Sequence, residues 1–346
     1  MTIPETMRAV LFYGPKEIRL EMVPVPRPRE GEVLLKIGAA LTCGTDFKAY
    51  RQGHRMLFKE LPSPFGHELA GTVVEVGPGV ADFRPGMRVV AANSAPCDGC
   101  FFCDRGQPQL CDALELHNGA YAEYNCSPAG IVRRNLYPIG DAVDFHIAAL
   151  CEPLACAIHA VDALAIRPGE RVAIIGAGMM ALLLVEALKD RGAEITVIGR
   201  SPEPLERALA IGAHKVVSAE KSDPVEQVRA FSDGRGADCV FEAVGKPETW
   251  TQAIDMVRKG GKVCLFGGCA QGTRVPVDAH RVHYGQVSLF GVFHHTPAYF
   301  RQALELLSSG KVRTDLLISG EIPLDDVPGY FKRMSDHPGQ KVAVLT

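Results

Sequence analysis

The sequence predicts an α/β protein of two domains, an irregular antiparallel β domain followed by a doubly wound parallel sheet. Three observations predict it. The chain has 346 residues, a length that suits two domains. Residues 8–150 are rich in Gly, Pro and short β-branched runs. From about residue 153 apolar strands alternate with helices, the pattern of a parallel sheet covered on both faces.

In the first part, strands are expected over 33–37, 70–77 and 88–91. Gly77-Pro78-Gly79 and Arg84-Pro85-Gly86 punctuate them as turns. Their spacing suggests a partly open barrel. A helix over 155–164 is stopped by Arg167-Pro168-Gly169. Then come a strand over 172–175 and a helix over 181–191 ended by Gly192. The next pair is a strand over 194–198 and a helix over 203–211 ended by Gly212. A strand over 238–241 precedes a helix over 249–258 ended by Gly260-Gly261. Strands over 262–266 and 287–290 follow. The tail carries a helix over 298–308 and a closing strand over 341–345, expected to rejoin the first domain.

Composition excludes several classes. The chain is 47% hydrophobic and 22% charged, as in an ordinary globular protein rather than a disordered one. Its net charge is −3, so no basic excess points to nucleic acid or an anionic membrane. Residues 1–8 hold no apolar run, so no signal peptide is expected. The apolar run over 172–185 is too short and glycine-containing to span a bilayer. Eleven cysteines are too sparse for a disulfide scaffold and odd in number. Clustered thiols then read as metal ligands in a reducing compartment, the cytoplasm.

Ile175 is followed by Gly176-Ala177-Gly178-Met179-Met180-Ala181, the G-x-G-x-x-A dinucleotide fingerprint. Gly176 allows the tight turn, Gly178 removes a side chain that would block the pyrophosphate, and Ala181 keeps helix and strand close. The helix start at Met179 and Met180 faces the phosphates. A preceding strand, the helix and a second strand set it apart from an ordinary glycine-rich turn. The second strand ends at Gly199-Arg200-Ser201, where an NAD site normally carries Asp or Glu. Without that carboxylate a 2′-phosphate is not repelled, and Arg200 can bind it bidentately. Ser201-Pro202 starts the next helix and adds backbone donors. The reading favours NADP(H) over NAD(H); the alternative is that Ser201 is only an N-cap and Arg200 only solvated.

Cys97, Cys100, Cys103 and Cys111 place four thiols within fifteen residues. Four thiolates so spaced suit a tetrahedral structural zinc. An iron–sulfur cluster is the rival, but Asp112 rather than Pro follows the last cysteine. Cys126, Cys151, Cys156, Cys239, Cys264 and Cys269 lack such spacing and read as core or near-core thiols. Elsewhere Cys43, His67 and a carboxylate make a mixed S/N/O set that suits a catalytic zinc with a labile position. Zinc lowers the pKa of bound water from 15.7 to about 7, and a bound alcohol should be acidified likewise. Thr45 is placed to pass the alcohol proton outward, with Lys48 and Tyr50 as possible next relays.

Cys43-Gly44-Thr45-Asp46, Gly66-His67-Glu68, the four-cysteine lobe, Glu152-Pro153-Leu154, the dinucleotide loop and Phe266-Gly267-Gly268 occur in one order. In that order they resemble the zinc-dependent medium-chain alcohol/polyol dehydrogenases, over essentially the whole chain. The resemblance implies a GroES-like catalytic domain (1–153 and 297–346), a Rossmann domain (154–296) and an active site in the cleft between them. It implies zinc ligation by Cys43 and His67. Glu68 resembles the acidic ligand of the sorbitol-dehydrogenase branch. Glu152 falls where the polyol, glucose and threonine enzymes bind zinc directly or through water. Which of Glu68 and Glu152 is bound at rest stays open. Thr45 matches the proton-relay hydroxyl, Asp46 an anchor behind the ligands, and Lys48 the place of a relay histidine. Ala243, Gly245, Phe266, Gly267 and Gly291 are implied to line the nicotinamide. Ala181 replaces the third glycine and Gly199 the usual acid. The loop over 111–121 is short, which weakens substrate inference from relatives with longer loops.

Other residues are weighed more plainly. His294 and His295 either contact substrate hydroxyls or form a hydrogen-bonded structural pair, the second being the default. Glu115, His117 and Tyr121 are placed at the cleft mouth. Arg55 and Lys59 either contact an acidic or phosphorylated substrate or are solvated. Trp250 is expected on the helix layer of the second domain. The leading expectation is an enzyme with two zincs per chain that oxidises a secondary alcohol of a polyol, sugar or cyclitol with NADP⁺. The rivals are an L-threonine-type amino-alcohol dehydrogenase and a non-catalytic NADP(H)-binding zinc protein. A homo-oligomer is expected by analogy, a dimer or tetramer, with 287–293 as a candidate pairing edge.

Overall fold

A computed structural model of the chain describes residues 2–54, 56–333 and 341–346. It falls into two compact units, Met1–Glu152 with His295–Thr346, and Pro153–His294.

The first unit is built on a seven-stranded sheet. Its path runs Leu136–Pro138, Arg88–Ala91, Glu68–Val76, Val33–Leu41, Lys341–Leu345, Ile318–Pro323, and Tyr124–Ser127 also pairs with Val33–Leu41. Val33–Leu41 is buried along almost its whole length, which explains its near-continuous apolar sequence. The strand Lys341–Leu345 pairs antiparallel with it, Ala343 opposite Leu41 and Val344 opposite Ala40, so the chain end returns to this unit. A hairpin of Thr6–Gly14 and Glu17–Pro24 was not legible as a strand pair, although its residues alternate. Its core face packs Phe12 on Phe65, which meets Tyr121 and Phe331 edge-on, with centroids 5.5 and 5.2 Å from Phe65.

The second unit is a six-stranded parallel sheet in the order Lys215–Ser218, Glu194–Gly199, Arg171–Ile175, Ala237–Glu242, Val257–Leu265, Ser288–Gly291. The chain starts at the centre, moves outward, then returns to the other side of Arg171–Ile175. That reversal creates the switch point at which such sheets bind ligands. The predicted helix over 249–258 is instead Pro247–Met256, and Val257 already opens a strand. Arg258 therefore belongs to the sheet, where its Nε donates to Asp238 Oδ1 at 2.5 Å on the neighbouring strand. Lys215–Ser218 and Pro224–Ala230 are too short to have shown a period.

Among the described residues one helical run, Phe145–Ala163, is long and apolar enough to cross a bilayer by length and composition. It was not the run singled out in the sequence, and 67% of it is buried inside the protein, as in a core helix.

Candidate active site

Three strand-edge positions of the first unit bring metal-type donors together. Cys43 caps the helix Gly44–Gln52, and its Sγ accepts from the Thr45 N–H at 3.4 Å. Gly66 turns the chain at φ +83° just before His67. A Cβ there would lie 2.7 Å from the Tyr121 ring, so glycine is required for packing and conformation alike. Glu68 then opens the strand Glu68–Val76. One donor atom from each of Cys43, His67 and Glu68 lies within 4.8 Å of the others.

The donors are held from behind. His67 Nδ1 bonds Asp46 Oδ1 at 2.7 Å, and the Tyr121 hydroxyl donates to Asp46 Oδ2 at 2.6 Å. A carboxylate only accepts, so it selects the Nδ1–H tautomer and leaves Nε2 as the lone-pair donor. Glu68 is fully buried; its Oε2 contacts Lys341 Nζ, and its Oε1 has no hydrogen-bond partner among the described residues. Lys341 also donates to Thr42 O at 2.9 Å. Burial pushes the Cys43 thiol up, and burial raises Glu68 to about 7 despite Lys341. A half-buried thiol beside a buried carboxylate, one of whose oxygens has no partner among the described residues, forms a donor set that a divalent cation would discharge. The mixed S/N/O chemistry fits zinc.

Glu152 is not in that 4.8 Å group. It lies buried in the same unit, accepting from Asn93 Nδ2 at 3.1 Å, while Asn93 Oδ1 bonds His295 Nε2 at 3.0 Å. His295 is thus a buried hydrogen-bonded residue. His294, in the second unit, accepts through its carbonyl from His159 Nδ1 at 2.8 Å. Thr45, whose N–H donates to Cys43 Sγ, is exposed, and Lys48 is exposed as well. Tyr50 is half-buried, its ring edge-on to Phe331 with centroids 5.9 Å apart. Tyr121 is not at a mouth but fully buried, its hydroxyl satisfied by Asp46. His117 bonds Asn125 Oδ1 at 2.7 Å, and Glu115 and Lys59 are exposed. Arg55 lies outside the described residues.

The thiol sulfurs of Cys97, Cys100, Cys103 and Cys111 also lie within 4.8 Å of one another. Cys97 N–H donates to Cys111 Sγ at 3.3 Å. Backbone N–H groups of Cys103 and Asp112 hold the Cys100 thiol down to about 6, which favours the thiolate that metals bind. Cys126, Cys156 and Cys269 are half-buried, and Cys151, Cys239 and Cys264 buried.

In the second unit Gly176 follows the strand Arg171–Ile175 at φ +113°, its N–H tied to Ile198 O at 2.8 Å. Gly178 caps the helix Met179–Leu188, and a Cβ there would meet nothing within 4 Å. The first N–H groups of that helix, at Met179 and Met180, have no partner within the helix. An open glycine at a helix N-terminus fits a dinucleotide pyrophosphate. Arg200 is exposed, and Ser201 caps Pro202–Ile211 without a side-chain capping bond. Ala243 N–H donates to Ile175 O, and Phe266 and Gly267 N–H both donate to Glu242 O, which gathers the implied nicotinamide segments. Gly291 ends the edge strand. Trp250, on the predicted helix layer, donates to Gly267 O at 3.0 Å.

Sequence reasoning missed Lys341, Asn93 and Glu242. Glu242 was the most accessible, because a carboxylate ends the apolar strand Ala237–Glu242 at a switch point. Its Oε1 accepts from Val244 N, Gly245 N and Thr249 Oγ1 at 2.9, 2.9 and 2.8 Å.

Comparison with known proteins places this geometry. The alcohol dehydrogenase GroES-like domain family matches residues 29–141, and the zinc-binding dehydrogenase family matches 176–309. The chain is 30% identical to sorbitol dehydrogenase of Bacillus subtilis, covering 99% of this chain and 98% of that one. It is 31% identical to L-threonine 3-dehydrogenase of Bacillus licheniformis, covering 94% of each. Among solved structures, a zinc-binding dehydrogenase of Sinorhizobium meliloti bound to NADP aligns with a TM-score of 0.92 at 30% identity, over 99% and 100% of the two chains. The chain belongs to the zinc-dependent medium-chain alcohol/polyol dehydrogenase family, with a GroES-like and a Rossmann domain. It is an oxidoreductase of that family.

Proposed function

We propose that the enzyme interconverts a secondary alcohol of a polyol, sugar or cyclitol and its ketone, using NADP(H). The observation that carries this reading is the convergence of Cys43, His67 and Glu68, with one buried Glu68 oxygen that has no hydrogen-bond partner among the described residues. These three side chains would hold the catalytic zinc, with Glu152 standing by on Asn93, and the four-cysteine lobe would hold a second, structural zinc. When bound, the zinc supplies a Lewis acid at the substrate oxygen, and the dinucleotide supplies the hydride acceptor.

The chain's own groups do the rest. Asp46 fixes the His67 ring and its tautomer. Thr45, exposed one residue into the helix capped by Cys43, takes the hydroxyl proton of the substrate and passes it to solvent. Arg200, with no carboxylate at position 199, receives the 2′-phosphate, and Ser201 adds a hydroxyl not used in capping. The sorbitol dehydrogenase relationship supports a polyhydroxylated substrate; the L-threonine 3-dehydrogenase relationship keeps an amino alcohol as the second reading.

The reading includes a homo-oligomer, a dimer or tetramer. Ser288–Gly291 is a sheet edge, and Phe290 and Phe293 beside it are 37% and 49% exposed. It also includes a cytoplasmic location, supported by cysteines that are all free of disulfides.

The test is zinc content, NADPH and NADH binding, and a substrate panel on one sample. Two zincs, NADPH selectivity and turnover of polyols or sugars support the reading. A Cys43→Ser protein with full turnover and unchanged zinc content overturns the mechanism. Turnover of L-threonine alone gives the second reading.

A further inference from the structure

Four protein ligands close a tetrahedral zinc site, whereas three leave a position for substrate. Cys43, His67 and Glu68 make three, and Glu152 is the carboxylate that would make a fourth. It is buried close to them: burial pushes its carboxyl up, while the charges of His67 and Lys341 pull it down. Asn93 Nδ2 donates to Glu152 Oε1 at 3.1 Å, and His295 Nε2 bonds Asn93 Oδ1 at 3.0 Å. An ionised carboxylate only accepts, so the Asn93 amide turns its N–H₂ to Glu152 and its oxygen to His295, which then donates from Nε2. With both ends engaged, a flip of the amide would break two hydrogen bonds.

Asn93 is itself fixed, because it sits at the neck of the four-cysteine lobe. Ser94–Ala95 leads into the lobe and Glu115–Leu116 leads out, with Ser94 opposite Leu116 and Ala95 opposite Glu115. The His117 N–H extends this ladder to Asn93 O at 2.8 Å. Asn135 holds the same segment twice. Its carbonyl accepts from Ala92 N–H at 2.9 Å, and its Nδ2 donates to Ser94 O at 2.6 Å. His295 is buried, its ring centroid 5.5 Å from that of Phe300. The tether is thus held in place by groups behind it, as a positioning residue requires.

We infer that Asn93 is a positioning residue that keeps the first site open: locked by His295, it holds the Glu152 carboxylate back from Cys43, His67 and Glu68 and so preserves the position that substrate needs. This rests on the zinc reading above. It adds that Glu68, not Glu152, completes the resting ligand set, and that an amide at the lobe's neck enforces the choice.

Cobalt(II) in the first site, with zinc kept in the lobe, reports the ligand set by its visible absorption. Competition with a chromophoric chelator reports its affinity. Glu152→Gln should absorb as wild type does, because the carboxylate is not bound at rest. Asn93→Leu should change the absorption and tighten binding about tenfold or more, the scale on which groups behind metal ligands act. Adding Glu152→Gln to Asn93→Leu should return both readouts to wild type. His295→Gln still offers a donor to Asn93 Oδ1 and should keep the wild-type absorption, whereas His295→Leu should shift it part of the way towards Asn93→Leu. If Asn93→Leu does not fold, that pair decides, and equal absorption in the two overturns the inference. So does an Asn93→Leu absorption like that of wild type, a change that persists without the Glu152 carboxylate, or a Glu152→Gln protein that already differs from wild type. Cobalt uptake that does not depend on Cys43 overturns the zinc reading and this inference with it. Cys43-dependent uptake with an absorption indifferent to Asn93 overturns the inference alone.

Discussion

Lys341 Nζ touches the carboxylate of Glu68 across 273 residues of sequence, and both side chains are buried. The last strand thus closes the sheet and supplies the one cation in contact with the candidate metal ligands among the described residues. Removing one partner of such a pair leaves a buried charge uncompensated, at a cost of about 3–5 kcal/mol. Lys341→Met should lose that much stability in metal-free protein above pH 7, where Glu68 is ionised, measured by urea unfolding. Glu68→Gln with Lys341→Met should regain most of it. A loss under about 0.5 kcal/mol would show that the pair is solvated in solution.

The titration of Glu68 has a definite sign. Folding raises this carboxyl from its ordinary 4.5 to about 7, chiefly by burial, so between those values the folded state holds the proton that the unfolded state has released. Its contribution to metal-free stability is therefore greatest below pH 4.5 and falls as pH rises towards 7. Comparing wild type with Glu68→Gln across that window isolates the effect from other carboxylates. The variant should lack the decline; parallel curves would mean that the carboxyl is not perturbed.

Asp46 acts through His67. Asp46→Asn either presents its amide to Nδ1, which favours the wrong tautomer, or turns it towards Tyr121 and loses the acceptor that the hydroxyl uses. Zinc affinity should fall about 10- to 100-fold, read by competition with a chromophoric chelator. Tyr121→Phe should instead cost about 1.5–3 kcal/mol of stability with a smaller change in zinc affinity. The two readouts separate ligand orientation from packing.

The legible part of the protein is the part carried by short motifs. Cys43, His67, Glu68, the four cysteines and Gly176 to Ala181 each stand beside their neighbours in sequence, and the fold merely joins the segments. Strands such as Arg88–Ala91 and Lys341–Leu345 were read to the residue because apolar runs end at clear turn signals. Lys341 as a site residue left no signal, because its meaning comes from pairing its strand beside Val33–Leu41. Tyr121 was placed at the cleft mouth; the distant Asp46 and the Leu41 carbonyl satisfy its hydroxyl and allow it to be buried. Glu152 was read as a possible ligand, but its partner Asn93 lies on a loop without periodicity.

The four-cysteine lobe should report its metal independently of the first site. The Cys100 thiol is held down to about 6 by backbone N–H groups. Cys100→Ser should leave about one zinc per chain and make residues 97–111 the first site of limited proteolysis, since such a lobe has little core of its own. Zinc content that stays at two, or at one in both proteins, would refute a metal at the lobe.

Glu242 is the residue most worth changing in the Rossmann domain. Its fully buried Oε1 collects two backbone N–H groups and the Thr249 hydroxyl, so one carboxylate fixes the turn Val244-Gly245. Its Oε2 has no hydrogen-bond partner among the described residues, and a Cβ on Gly267 would fall 2.7 Å from it. Glutamine keeps the accepting oxygen but places an amide N–H₂ where no acceptor waits. Alanine removes all three bonds and leaves buried donors unsatisfied, about 3 kcal/mol or more. If this turn lines the nicotinamide, Glu242→Ala should raise KM for the dinucleotide about tenfold or more and change kcat less, with Glu242→Gln intermediate. A stability loss with unchanged KM in both variants would confine Glu242 to holding the fold.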